Sequence, residues 1–277
     1  MTDDAPRLDR SSALVPRLEW RTESPSTNAD LVALAADAGW PDLAVVATDR
    51  QTAGRGRLGR EWVTPPGAAL AVSMLLRPAV PVTRLGWLPL LVGLAVARAA
   101  DALLGGGGVE GGDGRKAVSV KWPNDVLVGG RKLSGILSEL TADGSVVVGL
   151  GINTAATAEA LPSDAATSLR LEGADATETD LVLSTVLEQF LPLYRAFVDA
   201  NGDAGAAGLR TAVSERCGTI GSRIRLEVPG GAVVLGTARG IDADGRLVVQ
   251  PHDGSGLLPV AAGDVTHVRL DGSPAGD

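Results

Sequence analysis

The sequence has a single cysteine, Cys217, and only two histidines in 277 residues. An internal disulfide is therefore excluded, and a zinc centre lacks its usual ligands. Cations are outnumbered as well: 25 lysines and arginines against 33 acidic residues leave a net charge of −8. That deficit argues against a general nucleic-acid or anionic-membrane partner. Met1 to Arg10 is polar and acidic and has no apolar core of a secretory signal. The longest apolar run, Leu85 to Leu104, is interrupted by Pro89 and Arg98, and its Ala-rich pattern suits a buried helix better than a membrane span. No internal repeat is evident. A cytoplasmic, soluble chain is expected, at 45% hydrophobic and 21% charged residues. Its length suits one large domain and a small one.

Against this acidic background, Gln51 to Trp62 stands out, because Gly54 to Arg60 packs three glycines and three arginines into seven residues. Glycine lets backbone N–H groups approach a ligand, and arginine offers forked donors suited to carboxylate and phosphate. A flexible solvated loop is the plain alternative. Gly54, Gly56 and Gly59 also spell a dinucleotide fingerprint, but that motif needs a helix at the third glycine and an acid about 20 residues on. Pro65 and Pro66 break such a helix, and Ala68 to Ala79 has no acid. A P-loop needs Lys-Ser/Thr where Arg60-Glu61 stands. An RNA-binding Arg-Gly segment needs repeats with aromatics, and one Arg-Gly-Arg is present. An unusual anion-binding loop remains.

Periodicity along the chain predicts a mixed order of elements. Ser26 to Asp30 reads as a helix start with Thr27 as cap, and Leu31, Leu34 and Ala35 follow at helical spacing. Ala44 to Thr48 and Ala68 to Leu76 read as strands, and Val82 to Leu104 as an apolar helix. Gly105 to Gly114 reads as a mobile turn. Val118–Lys121, Val126–Val128, Lys132–Leu140 and Ser145–Leu150 then form a succession of hairpins, turning at Gly129-Gly130 and Ala142-Asp143-Gly144. A helix is expected over Thr179 to Val198, with Leu183, Leu187, Phe190, Tyr194 and Phe197 as its core stripe. Asn201 to Gly208 is ambiguous between loop and helix. Beyond Cys217, five short strands suggest a small antiparallel barrel.

The remaining polar clusters fall at strand ends. Lys121-Trp122-Pro123-Asn124-Asp125 makes a corner at which Lys121 and Asp125 can face one pocket, although Pro-Asn-Asp is an ordinary turn. If the next strand alternates, Lys132, Ser134 and Ile136 share a face, and Gly135 leaves the backbone open. A solvated surface lysine is the plain reading of Lys132. Gly149-Leu150-Gly151-Ile152-Asn153 ends another strand with two glycines and an amide. Glycine-flanked polar groups at several strand ends are a common way of building a nucleotide pocket.

Gly54-Arg55-Gly56-Arg57-x-Gly59-Arg60, Lys121-Trp122-Pro123-Asn124-Asp125, Gly130-Arg131-Lys132-Leu133-x-Gly135-Ile136-Leu137 and Gly151-Ile152-Asn153, with Ser26-Thr27-Asn28 and Gln51 upstream, resemble the biotin–protein ligases in order and spacing. The resemblance spans roughly residues 18 to 270. It implies an α+β fold: a mixed, largely antiparallel sheet with flanking helices, like that of class II aminoacyl-tRNA synthetases, and a small C-terminal SH3-like barrel. The expected division is a disordered tail over 1–17, a catalytic domain over 18–215, the barrel over 216–270 and a second tail over 271–277. Bifunctional members carry an N-terminal DNA-binding domain; the short leader here points to the ligase-only type, with no DNA partner.

The chemistry this implies is formation of biotinyl-5′-AMP from biotin and ATP, then transfer of biotin to a lysine of a biotin carboxyl carrier protein domain of an acyl-CoA carboxylase. By the resemblance, Lys132, Arg55, Arg57 and Asp125 are catalytic. Ser26, Thr27, Asn28, Gln51, Gly54, Gly56 and Gly135 join Arg55, Arg57 and Lys132 around biotin. Arg60, Trp62, Lys121, Asn124 and Asn153 join the same three cations around ATP, with Trp62 placed to stack on adenine. Mg²⁺ is expected mainly on the ATP phosphates, with Asp125 as its protein ligand, as an orienter of Lys132, or as a base toward the incoming lysine. The Arg/Gly loop is expected to be disordered without ligand and to close over the adenylate. A monomer or weak homodimer is implied. A lipoate–protein ligase on the same fold and a non-catalytic biotin or nucleotide sensor are the alternatives.

Overall fold

The runs in which Ala, Val and Leu follow one another without helical spacing are strands in the computed structural model, which describes residues 5–62, 66–105, 116–228 and 230–267. Seven of them form one sheet: β1 (Leu18–Trp20), β2 (Ala44–Thr48), β3 (Ala69–Leu76), β4 (Val118–Lys121), β5 (Asp125–Val128), β6 (Arg131–Leu140) and β7 (Val146–Asn153). Their order is β1-β2-β3-β7-β6-β5-β4. Only the β1–β2 pair is parallel, and the others are antiparallel. Every residue of β3 and β7 is buried, because both faces of the sheet are covered there.

One face packs on α3 (Trp87–Leu103), the expected apolar helix, and α3 packs in turn on α4 (Thr179–Asp199). Pro89 stands in the first turn of α3, where an N–H has no intrahelical partner to lose. The stripe Leu183, Leu187, Phe190, Tyr194 and Phe197 of α4 is buried as expected. α2 (Thr27–Leu34) covers part of the opposite face, with Leu31 against Val46, Leu75 and Val147. Its cap is Ser26, one residue earlier than expected, whose Oγ accepts from Ala29 N–H.

Two departures from the sequence reading concern short elements. Residues 9–15 are not a free tail: α1 (Asp9–Ser12) is anchored to the first turn of α4, where the Asp180 carboxylate accepts from the Arg10 and Ser11 amides and the Ser11 hydroxyl. α5 (Leu209–Arg216) follows the Gly/Ala-rich stretch and has too few apolar residues for a helical stripe. The expected glycine turn lies almost wholly outside the described residues.

Beyond α5, β8 (Arg223–Glu227), β9 (Val233–Ile241), β10 (Leu247–Pro251), β11 (Leu258–Val260) and β12 (Asp264–His267) form the SH3-like barrel, in the antiparallel order β11-β10-β9-β8-β12. Two buried indoles, one at the start of α3 and one at the β4–β5 corner of the sheet, fasten it to the large domain. Trp87 Nε1 donates to Ala243 O at 2.8 Å and Trp122 Nε1 to Gly245 O at 3.2 Å, both in the β9–β10 turn.

Candidate functional site

The face of the sheet opposite α3 has a floor of small residues. The register pairs Ala71 with Gly151 and Ser73 with Gly149 across β3–β7, and Gly135 with Gly151 across β6–β7. A methyl group at Gly149 would lie 2.0 Å from Asn28 Oδ1, and one at Gly151 would lie 2.2 Å from the Trp62 indole. Glycine is needed at both because side chains lie flat on the backbone.

Lys132 reaches this floor through an irregularity. The β5–β6 register shifts between Val126 and Leu127. Leu133 and Ile136, three apart, both enter the core beneath α3, which regular alternation forbids. Lys132 therefore shares the face of Gly135, its Nζ lying 3.3 Å from a methyl built there, and not the face of Ile136 as simple alternation predicts. Its Nζ forms an ion pair with Asp125 Oδ1 at 2.9 Å and stands 5.8 Å from the Trp62 ring centre.

The start of α2 supplies a polar end. Gln51 Oε1 accepts from the Thr27 amide at 3.0 Å, and the Ser73 hydroxyl is within reach of Thr27 Oγ1 (2.8 Å) and Asn28 Oδ1 (2.6 Å). Asn28 Nδ2 donates to Leu137 O and to Glu139 Oε1, so both its amide hydrogens are used.

The Arg/Gly loop closes the top. Each arginine is tied to a different element: Arg55 to Glu139 of β6, Arg57 to Asn124 Oδ1 at 2.9 Å and Gly263 O at 3.3 Å, and Arg60 to Asp264 of β12. These partners offset the mutual repulsion of the arginines, and the loop holds a short turn with Leu58 in the left-handed region at φ 57°. Burial draws the Arg57 pKa below its ordinary value, with Arg60 adding to the fall and Asp264 and Asp125 opposing it. A methyl at Gly54 would meet Trp62 O at 2.3 Å and Gln51 Nε2 at 2.7 Å.

A cavity of about 110 Å³ lies between floor and loop. Ser26, Thr27, Asn28, Gln51, Arg55, Gly56, Arg57, Arg60, Trp62, Asn124, Asp125, Lys132 and Gly135 all line it. Three expected site residues do not. Gly54 lies behind the loop, wedged as described. Lys121 is on the edge strand and its charge acts on His267 of the barrel. Asn153 is buried at the end of β7 and donates to Thr167 O at 2.9 Å. Conversely, Ser73, Glu139 and Asp264 touch site residues and were not singled out from sequence. Ser73 was discernible as the lone polar residue in an apolar strand. Asp264 carries no local signal, since only the barrel's docking brings it there. Among the described residues no three His, Cys, Asp or Glu side chains cluster as a metal site.

A mixed sheet with an SH3-like barrel against it, and cations gathered over a glycine floor, defines the class of biotin and lipoate ligases. A family model described as the biotin/lipoate A/B protein ligase family matches residues 21–153, and one described as the biotin protein ligase C terminal domain matches residues 219–268. A biotin–[acetyl-CoA-carboxylase] ligase of Mycobacterium tuberculosis is 40% identical over 254 residues, covering 91% of this chain and 90% of the relative. One from Paracoccus denitrificans is 33% identical over 85% of this chain and 95% of its own length. The structure of an Aquifex aeolicus biotin protein ligase in complex with biotin and ATP superposes with a TM-score of 0.73 at 26% identity, covering 92% of this chain and 99% of that one. The chain belongs to the biotin protein ligase family.

Proposed function

We propose that this protein joins biotin and ATP into biotinyl-5′-AMP and pyrophosphate, then transfers the biotinyl group to a lysine on the biotin carboxyl carrier domain of an acyl-CoA carboxylase. The observation that carries this reading is the convergence of Arg55, Arg57 and Lys132 on one cavity with a polar, amide-lined end. In the first step a carboxylate oxygen attacks the α-phosphorus while the bond to the departing pyrophosphate breaks. Two anions must meet, at a cost of about 1 kcal/mol per contacting pair of like charges in water and more in a drier site. The three cations offset that repulsion and the charge gathering on the leaving group. In the second step the carrier amine attacks the acyl carbon, loses a proton and releases AMP.

The polar end assigns roles to biotin's ureido ring. With both hydrogens of Asn28 engaged, its amide can only accept, so it suits a ureido N–H; the Ser26 hydroxyl, which accepts from Ala29 N–H, still has its own hydrogen to give the ureido oxygen. Asp125, already paired with Lys132, acts as the orienter of that ammonium. Mg²⁺ would ride on the ATP phosphates; the cavity carboxylates Asp125 and Asp264 fit an ion that takes one or two protein oxygens beside phosphate and water. Trp62 serves adenine by stacking. The lipoate alternative is not favoured, since the relatives covering most of this chain are biotin ligases. Incubation with MgATP, carrier domain and either biotin or lipoate tests the reading. Biotinylation of one carrier lysine is expected; lipoylation, or no transfer, would overturn it.

A further inference from the structure

Glu172 does not line the cavity, yet its side chain is only 3% exposed and its carboxylate receives three donors: the Thr167 hydroxyl at 2.6 Å, Lys116 Nζ at 3.0 Å and the Arg131 guanidinium. Burial pushes its pKa up, but these donors outweigh that, so it is charged in the fold. A sealed carboxylate with three partners fixes whatever it holds. What it holds is the segment 165–167, which meets Lys132 in an isolated parallel bridge at Ala166. Lys132 N–H donates to Ala165 O at 2.7 Å, and Thr167 N–H donates to Lys132 O at 2.8 Å. On its other side the same segment accepts from Asn153 Nδ2 through Thr167 O. Arg131, the neighbour of Lys132, is gripped by the same carboxylate.

We propose that Glu172 is a positioning residue for the nucleotide end of the site, acting through Thr167 and Arg131 to fix the backbone of Lys132 and the carboxamide of Asn153. The inference rests on the ligase reading, in which Asn153, outside the cavity lining, serves ATP and Lys132 faces both substrates. It separates the nucleotide from the ureido end of biotin, because that end is held by α2, Gln51, Ser73 and Glu139 through bonds that do not involve this cluster.

The test uses the full chain with Thr167→Val, Thr167→Ser and Glu172→Gln, measuring biotin-dependent ATP–pyrophosphate exchange and biotin binding by calorimetry. Thr167→Val removes one hydroxyl without changing shape and should raise the KM for ATP about tenfold, the scale of one hydrogen bond to a charged group. Thr167→Ser keeps the hydroxyl and should restore it. Glu172→Gln should move the KM for ATP in the same direction, with biotin affinity unchanged in all three. An unchanged KM for ATP in Thr167→Val, or a parallel loss of biotin affinity, would overturn the proposal. A wild-type chain without exchange would instead overturn the ligase reading itself, and this inference with it.

Discussion

Two glycines and one lysine carry the heaviest demands on single residues. A methyl at Gly149 has nowhere to go but into Asn28 Oδ1, and the Asn28 carboxamide is held by Ser73 at Oδ1 and by Glu139 at Nδ2. Gly149→Ala should therefore fold and yet lose biotin affinity by more than tenfold, read by calorimetry; retained affinity would show that Asn28 is free to move. Gly151→Ala should displace the Trp62 indole and weaken ATP rather than biotin, a split that steady-state kinetics resolves. Lys132→Ala removes the ammonium paired with Asp125. Loss of adenylate formation by roughly a hundredfold or more is expected in pyrophosphate exchange, the scale of removing one preorganised charge-stabilising group.

At the scale of elements, the Arg/Gly loop is held by groups from β6, the β4–β5 corner and β12, so its closure depends on elements far apart in sequence. Arg57→Ala should release biotinyl-AMP faster while leaving biotin affinity nearly unchanged; a filter assay showing a wild-type adenylate lifetime would contradict the retention role. Long strands and the two apolar helices were legible because their burial patterns repeat along the chain: Ala44–Thr48 reads directly from sequence. The bulge in β6 was not, because a register shift belongs to a pair of strands and leaves no mark on one. That is why Lys132 was set with Ile136 when it stands with Gly135. α1 escaped notice because four residues cannot show a period, and its anchor, Asp180, is far along the chain. The site motifs were visible as residues, whereas Glu139 and Asp264 gained their meaning from folding alone.

For the whole molecule, the decisive junction is the one between sheet and barrel. It rests on the Trp87 and Trp122 indoles and on His267, whose Nε2 lies 3.3 Å from Thr219 Oγ1, while Thr219 Oγ1 accepts from the Trp122 amide. Burial, with Lys121 nearby, holds the His267 pKa below its ordinary value, so the neutral ring is the folded form. Its contribution to stability is complete above about pH 6.5, the unfolded value, and is lost as pH falls through the lowered folded value. Thermal melts from pH 8 to pH 5 should show a loss that His267→Asn reduces; an identical pH profile in the variant would remove His267 from the account. The barrel also delivers Gly263 O and Asp264 to the arginines, so the hold on the Arg/Gly loop draws on its seating. The most direct measurement is mass spectrometry of a carrier domain incubated with this protein, biotin and MgATP, beside the Lys132→Ala variant. One biotinyl group on a single carrier lysine, made by the wild type and absent with the variant, is the predicted result; no modification by the wild type, or equal modification by both, would contradict it.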